Sequence, residues 1–221
     1  LALRFTRYGY RRMTAQLKRD GLNVNHPNGS LRDKRVLWIM LALDLLCRAK
    51  RKFVRTTDSH HDYRIYPNLY RNRVPDGPNQ VWVADITYIP TWAGFPYLAV
   101  VMDLYSRAIV GWSMNRRMTQ QLVCDALTMA LFRRHFPKGT IIHSDRGSQY
   151  CSKRYQRLIK NNGLRCSMGR KANCYDNAAM ESFFHTLKVE LIHRERYVTR
   201  RIAKCRIFEY IETYYNRQRK H

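Results

Sequence analysis

The rhythm of apolar and polar positions changes twice along this chain. Over residues 8–20, "YGYRRMTAQLKRD", Tyr10, Met13 and Leu17 recur at helical spacing and mark one side of a helix, with Gly21 as its stop. "HPNGS", within 22–32, reads as a loop, and Asp33 is a fitting N-cap for a second helix reaching about Leu46. Residues 48–79 have no apolar period. They begin basic, "RAKRKFVR", then turn Pro- and Asn-rich, "IYPNLYRNRVPDGPNQ", as a linker does.

From residue 80 the runs become short and apolar. "VWVADITYI", "PYLAVVMDLY" and "AIVGWSMN", separated by "PTWAGF" and a tight "SR" turn, predict three strands of an antiparallel meander. Thr119 opens a helix to about Phe136. "GTIIH" predicts a fourth strand, "SKRYQRLIKNN" a helix and "GLRCSM" a fifth strand. Asp176 caps a long helix, "NAAMESFFHTLKVELIH", and a last helix covers 199–216. The order β-β-β-α-β-α-β-α-α predicts an α/β fold with a mixed five-stranded sheet flanked by helices. The expected division is a helical segment over 1–47, a basic, Pro-rich linker over 48–79 and a core over 80–221.

Charge narrows the partners. There are 41 Lys and Arg against 16 Asp and Glu, a formal net charge of +25. Self-repulsion on that scale calls for a polyanion, and nucleic acid is the leading one. Arg11, Arg12, Lys34 and Arg35, near the two amino-terminal helices, fit a small DNA-binding unit. With 45% hydrophobic residues the chain can bury a core, which argues against disorder. Cys47, Cys124, Cys151, Cys166, Cys174 and Cys205 form no CxxC and no close pairs, so they read as reduced thiols of a cytoplasmic protein. There is no signal peptide, and the longest apolar run, "VLWIMLAL", falls short of the ~20 residues a bilayer requires. No membrane partner is expected. The chain opens on Leu1 and stops in "YYNRQRKH", which reads as a fragment with a truncated carboxyl end.

The remaining question is what the scarce acids do. Asp85 lies inside a strand, where an ionised carboxylate is costly unless paired with an arginine or bound to metal. Asp145 follows the fourth strand in "IIHSDRGSQY", either as a turn residue or as a carboxylate over a crevice. Glu181 sits beside the apolar stripe Met180, Phe183, Phe184, Leu187 and Leu191 of its helix, in register with His185 and Lys188. That face is either a solvated ladder or a site. If the first and fourth strands are neighbours, Asp85 and Asp145 meet, and the helix brings Glu181 to them. Three hard oxygen ligands suit Mg²⁺, with two ions bridged by the acids and Mn²⁺ as a substitute. His143 fits a core histidine better than a site residue, and Arg107 fits a structural pair with Asp103.

"WVADITYI", "YLAVVMDLYSRAIVGW", "HSDRGSQY" and "DNAAMESFFHTLKVE", with 35 residues between Asp145 and Glu181, resemble the second-frame transposases of the "three" family of insertion sequences, within the retroviral integrase superfamily. The resemblance covers nearly the whole chain. It implies an RNase H-like core with Asp85, Asp145 and Glu181 as catalytic, metal-binding triad. It also implies a helix-turn-helix-like amino-terminal segment, and DNA contacts from Lys188, with His185, Arg170 and Lys171 beside it. The implied activity is metal-dependent DNA end cleavage and strand transfer, by a homo-oligomer on DNA in the bacterial cytoplasm at the nucleoid, with an upstream-frame DNA-binding protein as possible partner. Two alternatives stay open: an RNase H-type nuclease, and an inactive DNA-binding remnant.

Overall fold

The computed structural model describes residues 8–22, 34–45, 63–70, 74–169 and 178–219. The expected caps Asp33 and Asp176, the "HPNGS" loop, much of the linker and the pair Arg170 and Lys171 lie outside the described residues. By its internal contacts the chain falls into two compact units. One holds the two amino-terminal helices together with residues 186–195. The other holds the sheet and the remaining helices.

The sheet has five strands, β1 (Val81–Tyr88), β2 (Tyr97–Asp103), β3 (Ile109–Asn115), β4 (Ile141–Ser144) and β5 (Arg165–Met168), in the order β3-β2-β1-β4-β5. β1–β2 and β2–β3 pair antiparallel, as a meander must, while β1–β4 and β4–β5 are parallel. The helix α3 (Gln120–Arg133) carries the crossover into β4. It is followed by the single turn α4 (Ser148–Cys151) and by α5 (Lys153–Asn161). Ser152 caps α5 by accepting from the Tyr155 amide. The mixed five-stranded architecture expected from the sequence is therefore present.

The period-2 alternation of the strands divides the core. Ala84, Val101 and Gly111 stand abreast on three strands and face α3. Asp85, Val100 and Trp112 stand abreast on the opposite face. α3 lies so close to β3 that a Cβ at Gly111 would sit 2.1 Å from the Ala126 carbonyl oxygen and 2.7 Å from the Ala130 amide nitrogen. Small residues on both surfaces permit this approach. On the other face Trp112 meets Phe208 at 6.2 Å between ring centroids and donates from Nε1 to Glu212 at 2.7 Å. Arg133, at the end of α3, donates to the same Glu212 oxygen at 2.8 Å. The outer strand β3 is also engaged by Asn216, whose Oδ1 accepts from the Ile109 amide and whose Nδ2 donates to the Ile109 carbonyl.

The last two helices depart from the expected continuous ones. α6 (Ala178–Leu187) widens into a π turn over Lys188–Ile192, and α7 (Arg200–Glu209) into another over Tyr210–Tyr215. The His193 amide reaches back five residues to the Lys188 carbonyl, and Asn216 does the same to Ile211. The first widening leaves Glu190, Leu191 and Ile192 all buried in succession. Glu190 accepts from Arg12 at 2.9 Å within the smaller unit. α1 (Tyr10–Arg19) has the expected face, with Met13 buried and Tyr10 and Leu17 half-buried. α2 (Lys34–Ala42) ends sooner than predicted, with Asp44 at φ 50° just past its end. No helix among the described residues is long and apolar enough to cross a membrane.

Candidate active site

The parallel pairing of β1 with β4 builds the site. Its register runs Val81 to Ile141, Trp82 to Ile142 and Val83 to His143. Carried on by two residues, past the end of β4 at Ser144, that register would set Asp85 level with Asp145. β4 ends at Ser144, so β1 continues beside a notch. The Gln80 carbonyl accepts from Ile141 on β4, and the Val81 carbonyl accepts from Leu104 on the other flank. Alternation therefore turns the Ile86 amide toward the β4 side, past the end of that strand. Asp85 Oδ1 accepts from this amide at 2.7 Å, which holds the carboxylate at the notch.

Asp145 is fixed by its own turn. Its Oδ1 accepts from the Gly147 amide at 2.9 Å, and a Cβ at Gly147 would crowd that oxygen at 3.0 Å. The Gly147 carbonyl accepts from the Tyr150 and Cys151 amides and so starts α4. Arg146 Nε donates to the Gly169 carbonyl, and Gln149 donates to the Met118 carbonyl. The turn is thus tied to both neighbouring segments. Beneath it the Cys151 thiol is pushed up to about 11, by burial first and by the Asp145 charge second, with Arg146 opposing. A thiol held neutral this way leaves carboxylate oxygens as the hard donors of the notch. Tyr150, which is 2% exposed, is likewise raised well above its ordinary value, by burial and then by Asp85, Tyr155 and Asp145. Both acids act on one phenol.

Glu181 lies in the first turn of α6 and is exposed, as is His185 one turn later. The predicted stripe is present: Met180, Phe183, Phe184 and Leu187 are buried, and Phe183 packs edge-on against Tyr215 at 4.8 Å. Among the described residues no three His, Cys, Asp or Glu side chains gather closely enough to hold a metal ion. Asp85 stands on β1, Asp145 directly after β4, and Glu181 on α6. The segment before α6, residues 170–177, lies outside the description, and with it Arg170 and Lys171. Lys188 is half-buried at the start of the first π turn.

His143 is the core residue the sequence suggested. It is fully buried, with Nδ1 2.9 Å from Ser167 Oγ and its ring 5.2 Å from that of Tyr70. The expected Arg107–Asp103 pair is corrected. Arg107 is exposed at φ 59°, and among the described residues the ion pair of the buried Asp103 is with Arg134, at 4.0 Å. Asp103 instead organises the turn, accepting from the Asn79, Tyr105 and Ser106 amides, so its buried carboxylate is satisfied by backbone while Arg107 stays in solvent. In the amino-terminal unit Arg12 is engaged with Glu190, Arg11 donates to the Tyr10 hydroxyl and Arg35 is exposed. The side chain of Lys34 lies outside the description. Sequence reading saw Gly147 as part of a turn and not as the donor that fixes Asp145, and did not single out the buried Tyr150. The glycine two residues after Asp145 was a usable signal, whereas the tyrosine looked like any core aromatic.

The sheet order and the crossover through α3 define an integrase-type core. Models described as "Integrase core domain" match residues 75–174 and 181–221, and one described as "HTH-like domain" matches residues 3–53. Transposase InsF for insertion sequence IS3A of Escherichia coli is 48% identical over 97% of this chain and 73% of its own length. A 31 kDa protein of insertion element IS600 of Shigella sonnei is 47% identical over 97% of this chain and 76% of its own length. This chain belongs to the IS3 family of insertion-sequence transposases. Among solved structures, a chain of the simian T-cell lymphotropic virus intasome shares the fold, with a TM-score of 0.51 and 16% identity over 95% of this chain and 66% of that one.

Proposed function

We propose that the chain is a DDE polynucleotidyl transferase that cuts DNA at the element's ends and joins them to a target, with Asp85, Asp145 and Glu181 as its triad. The observation that supports this reading is the parallel β1–β4 pairing, which runs from the strand that carries Asp85 to the strand that leads into Asp145, in a transposase-family core. Their hard oxygen donors fit magnesium, with manganese as a substitute. Bound there in a pair, the ion would polarise the attacking oxygen and neutralise charge at the leaving one. Asp85 of β1 and Asp145 after β4 would hold it, with Glu181 of α6 as the third ligand. Water attacks first, breaking one phosphodiester P–O bond to free a 3′-OH. That hydroxyl then attacks a target phosphate and displaces another 3′ oxygen, so no covalent enzyme intermediate arises. Assembly as a homo-oligomer on DNA in the cytoplasm at the nucleoid, with an upstream-frame partner, belongs to the same reading, as does the division at residues 47 and 79.

The test of the third acid is Glu181→Gln, assayed with supercoiled plasmid in Mg²⁺. Loss of nicking and strand joining with retained DNA binding is expected; wild-type rates would remove Glu181 from the triad. Cleavage of an RNA–DNA hybrid in preference to duplex DNA would favour a nuclease instead.

Lys188 follows Glu181 by seven residues and is read as a phosphate contact beside the cut. Lys188→Ala should lower the salt dependence of DNA affinity by about one unit of log–log slope. Strand joining should fall further than binding, because a displaced end loses alignment. An unchanged slope with unchanged end processing would make Lys188 an ordinary surface lysine.

A further inference from the structure

The turn between β1 and β2 displays apolar surface that the fold does not use. Trp92 is 74% exposed and Phe95 54%. Two large rings held in water on one turn mark a surface with an occupant. The turn is no loose tip. Thr91 Oγ1 donates to the Gly94 carbonyl, the Gly94 amide to the Thr91 carbonyl, and the Ile89 amide to the Pro96 carbonyl. Gly94 takes φ 94°, which glycine adopts without strain. The Trp92 amide is anchored to the Tyr197 carbonyl at 2.9 Å, and Phe95 packs edge-on against Tyr88 at 5.6 Å. Rings on a backbone fixed in this way stack a flat ligand at little further cost in ordering.

Charge selects the ligand. Residues 89–96 carry no charged side chain, while residues 196–206 hold five cations and no acid. Arg200 reaches the turn itself, since a Cβ at Gly94 would lie 2.9 Å from its Nη2. Aromatic rings edged by guanidinium groups, with no acid among them, suit a nucleobase joined to its phosphate. A second copy of a chain with a formal charge of +25 would bring like charge to like. Position agrees. β1 carries Asp85 and ends at Tyr88, about 10 Å further on by strand rise, so the turn stands at the end of the sheet toward which β4 runs into Asp145. Bases inside an intact duplex keep both faces stacked on their neighbours, so the ligand is a base without a partner. Such bases cost least to expose where a strand is already cut or single.

We propose that Trp92, with Phe95 beside it, is a stacking platform for an unpaired base of a DNA strand at the acid end of the sheet, with Arg200 on the adjoining phosphate. This rests on the reading of DNA as the substrate given above.

The experiment uses the full chain without divalent metal, so that binding is scored apart from the triad. The probes are a blunt DNA duplex and the same duplex ending in a short unpaired tail. Wild type should prefer the tailed probe. Trp92→Ala should lose ~10- to 100-fold in affinity for the tailed probe and little for the blunt one. Trp92→Phe should keep most of the preference. Trp92→Leu, apolar but without a ring face, should lose it. The salt slope of Trp92→Ala should match wild type, whereas Arg200→Ala should lower it by about one unit. Trp92 is exposed, so its removal opens no core cavity, and equal melting temperatures check this. Should Trp92→Ala melt lower, the comparison of Phe with Leu decides. The proposal is overturned if wild type shows no preference for the tail, if Trp92→Ala weakens both probes equally, or if Leu serves as well as Phe. A changed sedimentation of Trp92→Ala with unchanged DNA binding would also overturn it, in favour of a contact between copies. Wild type that binds neither probe would remove the DNA reading itself. Normal binding of the tailed probe by Trp92→Ala, beside an Asp145→Asn variant that no longer nicks plasmid in Mg²⁺, would leave the triad standing and the platform refuted.

Discussion

Asp145→Asn should reduce DNA nicking by at least about a thousandfold, the scale of loss when one member of a catalytic set acting as a unit is removed. The fold should not notice. An asparagine Oδ1 can still accept from the Gly147 amide, so the turn that starts α4 is kept. What disappears is one negative charge at the notch beside Asp85. A neutral amide is a poor ligand for a hard divalent cation, and a duplex phosphate meets less repulsion there. DNA affinity in the absence of metal should therefore be equal or higher. Paired gel-shift and nicking assays on one preparation separate the two effects. Nicking at the wild-type rate in Mg²⁺ would remove Asp145 from the chemistry, and a parallel loss of binding would point to a misfolded turn.

The second large effect concerns stability. Gly111→Ala would place a methyl group 2.1 Å from the Ala126 carbonyl oxygen and 2.9 Å from the Ala130 Cβ. The obstacle is helix backbone, which cannot rotate aside as a side chain can. α3 must lift from β3, opening a core lined by Leu127, Ala130 and Val101. Overpacking of a tight core costs ~1–3 kcal/mol and occasionally more, and contact with backbone puts this case at or above the upper end. Glycine is intrinsically poor in a strand, so local preference acts the other way and is overruled. A domain of ordinary stability has only ~5–15 kcal/mol in hand. Urea unfolding should show the midpoint falling clearly at unchanged slope, or a soluble fraction that is lost altogether. A midpoint shift worth less than about 0.5 kcal/mol would mean that α3 is not seated as described.

These two residues show what a sequence can and cannot announce. Asp145 was legible because a short apolar run ends at it and because its separation from Asp85 and Glu181 follows a recognisable pattern. The strands were legible for the same reason: buried strands leave unbroken apolar runs, and the turns between β1, β2 and β3 are short. Gly111 was silent, since close approach between α3 and β3 is a property of two distant surfaces together. The π turns were equally silent. Adding one residue to a helical turn barely alters the apolar stripe of "SFFHTLKVELI", yet it buries Glu190 beside Leu191 and Ile192. Asp103 misled for a related reason. Proximity along the chain suggested Arg107, but the carboxylate caps amide groups and faces Arg134 from the end of α3, while Arg107 stays in solvent. Glu181 is the intermediate case: spacing proposed it, and the first turn of α6 is where it stands.

Asn216 has a consequence beyond the geometry of β3. An outermost strand offers its open amides and carbonyls to any extended peptide, including the same strand of another molecule. Here one side-chain amide mimics the missing neighbour by closing both groups of Ile109, and the Trp112 amide is turned to the Met129 sulfur at 3.4 Å. The carboxyl-terminal helix therefore acts as a guard against sheet growth. A chain cut before residue 216, or carrying leucine there, would keep its acids in place yet offer its flank as a template for fibrous self-association.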